Sequence, residues 1–154
     1  MGTAISLERN ERIKLVDQPN DFNPDPDLSV FVVFTAIGRT MKALEKACEI
    51  ARPLGAKIEV VAVQVVPFPL RLDQPPVPLE FVVRRFEEMT DGFPEKVKFS
   101  AYLCRDPMAA FKCVFNRNCL VVIGVRKSWF ANRDERLARR LSRSGYDVTI
   151  VKTE

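Results

Sequence analysis

Histidine is absent from the 154-residue chain, and this absence excludes several kinds of chemistry at once. Without imidazole there is no Ser-His-Asp or Cys-His triad, no histidine ligand for zinc and no imidazole proton shuttle. Glycine is scarce, with only six residues, and neither a GxGxxG fingerprint nor a Walker A sequence occurs. The common glycine-rich phosphate loops are therefore missing, and we expect no enzyme activity.

The four cysteines, Cys48, Cys104, Cys113 and Cys119, include no CxxC pair, and their spacings fit no zinc-binding pattern. We expect them to be reduced and buried as small hydrophobic side chains, without a metal site. No secretion signal opens the sequence, and no apolar run reaches the ~18 residues that a membrane-spanning helix needs. The expectation is a cytoplasmic protein without a cofactor and without membrane insertion.

Charge is distributed unevenly along the chain. Residues 1–29 carry six acidic and three basic groups, whereas residues 105–154 carry eleven basic and five acidic groups. The stretch from residue 18 to residue 27 is rich in Pro, Asn and Asp, which disfavour helix and strand. We therefore predict an N-terminal extension or linker at 1–27 and one domain at 28–154. Within the extension, Ile13, Leu15 and Val16 are expected to form a short strand or patch that docks on the body or on a second subunit.

Strand and helix patterns alternate along the rest of the chain. Short apolar runs at 30–34, 58–66, 97–103, 120–125 and 148–151 predict five strands, and the polar alternation that opens 97–103 is typical of an edge strand. Helices are predicted from the Thr40 cap to Leu54, over 79–90, after the Asp106 cap and over 132–144. This order predicts a flavodoxin-like α/β fold, a doubly wound parallel sheet within a three-layer α/β/α sandwich.

Several of these segments resemble universal stress proteins over residues 28–154. The resemblance is carried by Val30–Phe34, Ala43, Leu44, Ala47, Ala51, Leu54–Ala56, the strand at 58–66, Leu120–Gly124 and Val148–Lys152. It implies a five-stranded sheet in the order 3-2-1-4-5 and a homodimer through the last strand. The apolar edge there, with Val148 and Ile150, predicts either a two-fold interface or a cover formed by residues 5–16.

The chain departs from the family where its ATP-binding members hold the nucleotide. Those members carry Asp at the end of the first strand, where this chain has Thr35, and G-x2-G-x9-G-[S/T] after the fourth. The matching positions here are Gly124, Lys127, Leu137 and Ala138. Because glycine allows close approach of the backbone to phosphate, bulkier residues disfavour the cradle. We predict a non-catalytic regulatory or interaction domain of the stress-response type that does not bind ATP in the family's manner.

A basic loop and helix after the fourth strand support an alternative, a sensor of a small, nucleotide-like ligand or anion. Its candidate site comprises Thr35, Gly124, Arg126, Lys127, Ser128 and Arg133. Trp129 and Phe130 in the same loop either fill the space of an absent nucleotide or contact a protein partner. Four helix cations, Arg133, Arg136, Arg140 and Arg143, share about a third of the helix circumference, as on a solvated face. Without an aromatic stacking platform, we do not expect a nucleic-acid partner.

Overall fold

The protein is described by a computed structural model over residues 13–16, 28–74, 79–91, 97–115 and 119–153. The strands are β1 (Ile13–Val16), β2 (Ser29–Val33), β3 (Lys57–Val65), β4 (Val97–Cys104), β5 (Cys119–Arg126) and β6 (Asp147–Thr153). The helices are α1 (Ile37–Leu54), α2 (Leu79–Thr90), α3 (Pro107–Val114) and α4 (Arg133–Arg143). The predicted alternation of five strands and four helices is confirmed, and β1 precedes it.

The strands form a single sheet in the order β1-β4-β3-β2-β5-β6. The five strands predicted from the sequence are β2 to β6, and numbered from one to five they lie in the expected order 3-2-1-4-5. Helices flank the sheet, so the α/β fold prediction is confirmed. Strand β1 pairs in parallel with β4, from Ile13 beside Ala101 to Val16 beside Cys104. The short strand expected in the extension therefore docks on the body.

The position of β1 corrects two expectations. Strand β4 is not an edge strand, because β1 pairs with it and its residues are buried without interruption from Phe99 to Cys104. Its initial polar alternation reflects only the exposure of its first residues. The proposed cover of the last strand is also wrong for residues 13–16, because β1 pairs with β4 at the opposite end of the strand order from β6. Residues 5–12 of the proposed cover lie outside the described part of the chain.

The described chain is organised as two compact units. One contains β1, β3 from Val61, α2, β4 and α3, and the other contains β2, α1, β3 up to Val60, β5, α4 and β6. In the second unit, α1 packs against β2, β5 and β6, and α4 packs against β5 and β6. Every residue from Val121 to Val125 is buried, as expected for a parallel strand covered on both faces. The single domain at 28–154 stays a prediction.

Local signals at the helix ends explain most of the boundaries. Asp106 caps α3 as predicted, because its carboxylate accepts from the backbone N–H of Met108 at 3.1 Å. Helix α1 ends at Leu54, where Gly55 takes a left-handed conformation with φ 61°. The start of α1 differs from the prediction, since Ala36 is the N-cap and Thr40 lies buried inside the helix. The helix therefore begins about one turn earlier than its first apolar positions indicated.

All four cysteines are buried and none forms a disulfide, which confirms the expectation of small hydrophobic side chains. Over the residues described, no helix combines the length and the apolar character that crossing a bilayer requires.

Candidate functional site

The carboxyl ends of β2 and β5 lie side by side in the second unit, with Val33 beside Ile123. In a doubly wound sheet, ligands bind in the crevice beyond these strand ends. Two predicted site residues meet here, because the Thr35 hydroxyl donates to the Gly124 carbonyl oxygen at 3.4 Å. The Thr35 N–H donates in turn to the Thr40 hydroxyl at 3.1 Å. The segment after β2 is thus tied both to β5 and to α1.

Gly124 is required by the close approach of α1 to β5. A methyl group on its Cα would lie 2.9 Å from the Arg39 carbonyl carbon and would also clash with the attached oxygen. Both atoms belong to the first turn of α1, whose backbone cannot move as a side-chain tip could. The lack of a side chain at Gly124 therefore accommodates the backbone of α1.

Arg39 is the charged group of this crevice that the sequence did not single out. Its Nη2 donates to Asp134 on α4 at 3.3 Å, and both side chains are partly exposed. Its Nε is buried without a hydrogen-bond partner among the described residues. Buried donors are rarely left without an acceptor, so this atom distinguishes Arg39 from the other charged groups described. Its position in the first helical turn after β2 was the sequence signal that could have identified Arg39 as a crevice residue.

The loop from β5 to α4 contains the other predicted site residues, and its backbone is held by three short contacts. The Asn132 amide donates to the Arg126 carbonyl oxygen at 2.8 Å, and its oxygen accepts from the Glu135 N–H at 2.9 Å as the cap of α4. The Phe130 N–H donates to the Ser128 hydroxyl at 3.3 Å. The side chains of Arg126, Lys127, Ser128 and Arg133 are exposed.

No protein-family model matches the sequence, and no curated protein is detectably similar to it. Among solved structures, the fold is similar to that of a universal stress protein crystallised in complex with cAMP. The TM-score is 0.52 at 16% identity, over 84% of this chain and 100% of that one. A protein of the universal stress protein family from Burkholderia pseudomallei aligns at 16% identity with a TM-score of 0.46, over 80% and 95% of the two chains.

The chain has the universal stress protein fold. This finding confirms the sequence resemblance at the level of architecture, and it places the crevice after β2 and β5 at the switch point of the sheet order.

The structure gives the surroundings of three residues that the sequence comparison placed at the family's nucleotide motif, Lys127, Leu137 and Ala138. Lys127 is exposed, and its N–H donates to the Thr153 carbonyl oxygen at 2.7 Å, which ties the loop to the end of β6. Leu137 is half-buried and Ala138 is fully buried on α4, in the part of the helix that covers β5 and β6. These two side chains thus belong to the packing of the universal stress protein fold.

The aromatic residues of the loop correct one interpretation. Trp129 is 99% exposed and Phe130 is 84% exposed, so neither side chain fills the space of an absent nucleotide. The loop turns through the Ser128 contact and directs both rings into solvent, where no described residue covers them. Their assignment as partner contacts stays a prediction.

The last strand of the fold, β6, pairs with β5 along one side. No other strand of the described chain pairs with its second side. Val148 is half-buried and Ile150 is 39% exposed, so the predicted dimer edge keeps an accessible apolar side chain.

Cys104, in the other unit, has the environment of an inert thiol. Burial raises its pKa from 9.0 to about 12, and the negative charge of Asp106 adds to the effect. The thiol donates weakly to the Gln64 carbonyl oxygen at 3.7 Å. A thiol held neutral in this way is a poor nucleophile. No group of cysteine and carboxylate side chains within the described ranges could hold a metal ion.

Proposed function

We propose that this protein is a non-catalytic interaction domain with the universal stress protein fold that does not bind ATP in the manner of the family's ATP-binding members. The single observation that carries the proposal is the packing of the Arg39 backbone onto Gly124. A phosphate cradle needs open backbone beside its glycine, and here that space belongs to α1.

The surrounding contacts support the same conclusion. The carbonyl oxygen of Gly124 accepts from the Thr35 hydroxyl, at the position where ATP-binding members carry an aspartate. Arg39 is engaged by Asp134, so part of the positive charge of the crevice is neutralised by the protein itself. A triphosphate in this crevice would have to compete with the hydrogen bond of Thr35 and with the ion pair of Arg39.

The interaction role includes self-association through β6. No strand among the described residues pairs with the second side of β6. The uncharged run from Val148 to Val151 lies between charged residues at Asp147 and Lys152. Unprotected strand edges of this kind pair with other strands. A two-fold arrangement would join the edges of two copies into a continuous sheet.

Isothermal titration with Mg-ATP tests the nucleotide part of the proposal. We expect no saturable heat at micromolar nucleotide, with the wild-type protein at neutral pH. A single site of micromolar affinity, lost in Arg39→Ala, would refute the proposal and place ATP in the crevice.

Sedimentation velocity tests self-association. We expect a concentration-dependent dimer for the wild type and a monomer for Ile150→Lys, because a charge on an edge strand opposes pairing. Ser142→Lys, which adds the same charge at an exposed position of α4, should dimerise like the wild type. A wild type that sediments as a monomer at every concentration would contradict the β6 interface.

A second candidate function is a small-ligand or anion sensor at the same crevice. The observation that favours it is the buried Nε of Arg39, which lacks an acceptor among the described residues. The cAMP of the similar structure makes a cyclic nucleotide the first probe. Saturable binding of cAMP that Arg39→Ala abolishes and Arg143→Ala leaves intact would favour the sensor. Absence of binding at millimolar cAMP would refute the hypothesis of a cyclic-nucleotide sensor.

A further inference from the structure

The loop between β5 and α4 exposes two neighbouring aromatic side chains, Trp129 and Phe130, which we call the aromatic tip. Their exposed fractions, 99% and 84%, exceed that of every other large apolar side chain described. Single exposed apolar residues are common on protein surfaces, but two adjacent aromatic rings in full contact with water mark an interaction site.

The aromatic tip is held in place before any partner binds. The loop is closed by the 2.8 Å bond from the Asn132 amide to the Arg126 carbonyl oxygen, and Asn132 also caps α4. Within the loop, Ser128 accepts from the N–H of Phe130. Because the backbone is already ordered, binding through the tip loses little conformational entropy.

Cationic residues flank the aromatic tip on both sides in the chain, and the described loop between them contains no acidic residue. Arg126 and Asn132 are in contact, so Lys127 and Arg133 each lie one residue from the closing hydrogen bond. The residues from 126 to 133 include no Asp or Glu. Both acidic residues of α4 form ion pairs, Asp134 with Arg39 and Glu135 with Arg139, the latter at 3.0 Å.

Further positive charge continues along α4. Arg136, Arg140 and Arg143 are exposed, and none of them forms an ion pair with a carboxylate of the described residues. The helix thus extends the positive potential that the loop begins, over the ~15 Å from Arg133 to Arg143.

We propose that the aromatic tip and the cations at its base, Arg126, Lys127 and Arg133, dock this protein on an anionic lipid surface. Tryptophan and phenylalanine partition into the headgroup region, and Lys and Arg beside them bind anionic headgroups. This names the partner class for the interaction role proposed above and therefore rests on that role.

The exposure of the tip favours a lipid surface over a nucleic acid. Proteins that stack bases do so on rings lining a positively charged groove. Trp129, at 99% exposure, has no protein wall on either face. A bilayer surrounds an inserted side chain from all directions and therefore suits a protruding ring.

The intrinsic fluorescence of the protein gives a direct test, because Trp129 is its only tryptophan. We expect a blue shift with vesicles of phosphatidylcholine and phosphatidylserine, and none with phosphatidylcholine alone. The shift should diminish as salt is added, because the cations act through screened attraction. Single-stranded DNA serves as the competing probe.

Variants measured by vesicle co-sedimentation separate the tip from the rest of the surface. Phe130→Ala should weaken binding at least tenfold, and Phe81→Ala, which removes another exposed phenylalanine on α2, should leave it unchanged. Arg126→Ala and Lys127→Ala should each weaken it about fivefold. Trp129→Ala should weaken it at least as much as Phe130→Ala.

The proposal is overturned if anionic vesicles cause no blue shift and no co-sedimentation. It is also overturned if Phe81→Ala weakens binding as much as Phe130→Ala does, or if single-stranded DNA quenches Trp129 while vesicles have no effect. Failure here leaves the titration with Mg-ATP and the sedimentation result untouched, so the two proposals can fail separately.

Discussion

Replacing Gly124 with alanine is the sharpest test of how the crevice is built. The added methyl group would lie 2.9 Å from the Arg39 carbonyl carbon and closer still to its oxygen. Both contacts are shorter than van der Waals separation, so the first turn of α1 must move away from β5. Overpacking of a core usually costs 1–3 kcal/mol, and a rigid backbone neighbour places this case at ~2 to 3 kcal/mol.

The measurement is urea unfolding together with thermal melting at neutral pH. For a chain of this size, the expected loss lowers the Tm by roughly 4 to 12 °C. Gly38→Ala is the matched control, since Gly38 lies in the same helix and an added methyl group would meet nothing within 4 Å. Its free energy of unfolding should rise by less than ~1 kcal/mol, because alanine favours helix over glycine and Gly38 is only the second residue of α1.

A loss of stability in Gly124→Ala and a gain in Gly38→Ala would show that the contact with Arg39 requires glycine at position 124. Wild-type stability in Gly124→Ala would refute the reasoning, because it would mean that α1 is not packed closely on β5. The argument that Gly124 has no room for phosphate would then fall with it.

Three further outcomes follow from the same contacts. Asn132→Ala should lower the free energy of unfolding in urea by ~1 to 2 kcal/mol, because it removes the cap of α4. Asp134→Asn should lose less than ~1 kcal/mol, and the loss should shrink with added salt, since its pair with Arg39 is partly exposed. Cys104 should resist thiol reagents at pH 8 in the folded protein. Folding raises the pKa of Cys104 from 9.0 to about 12, so above pH 9 the thiol ionises in the unfolded chain before it does in the folded one. The free energy of unfolding should therefore fall as pH rises above 9, and this fall should be smaller in Cys104→Ala.

The architecture could be predicted from the sequence because apolar runs and capping residues are local or periodic signals. Continuous apolar runs indicated strands covered on both faces, and the buried residues of β5 agree. Asp106 followed by Pro107 indicated a helix start, and both residues take those positions. The alternation of such elements limits the possible arrangements, because right-handed crossovers place successive strands in parallel.

The start of α1 shows the limit of local signals. Thr40 is a good capping residue, but the helix begins at Ile37 and the Thr40 hydroxyl instead accepts from the N–H of Thr35. The group that caps the N-terminus of a helix depends on the conformation of the preceding residues. The spacing of apolar residues within the helix carries no information on that conformation.

What the sequence determined alone is the succession of strands and helices, since each depends on residues a few positions apart. Tertiary structure decided the rest. Gly124 is needed because Arg39, distant in the chain, packs onto it, and Trp129 is exposed because the loop is closed through Asn132. Such contacts join residues whose separation follows no period, so only the folded chain brings them together.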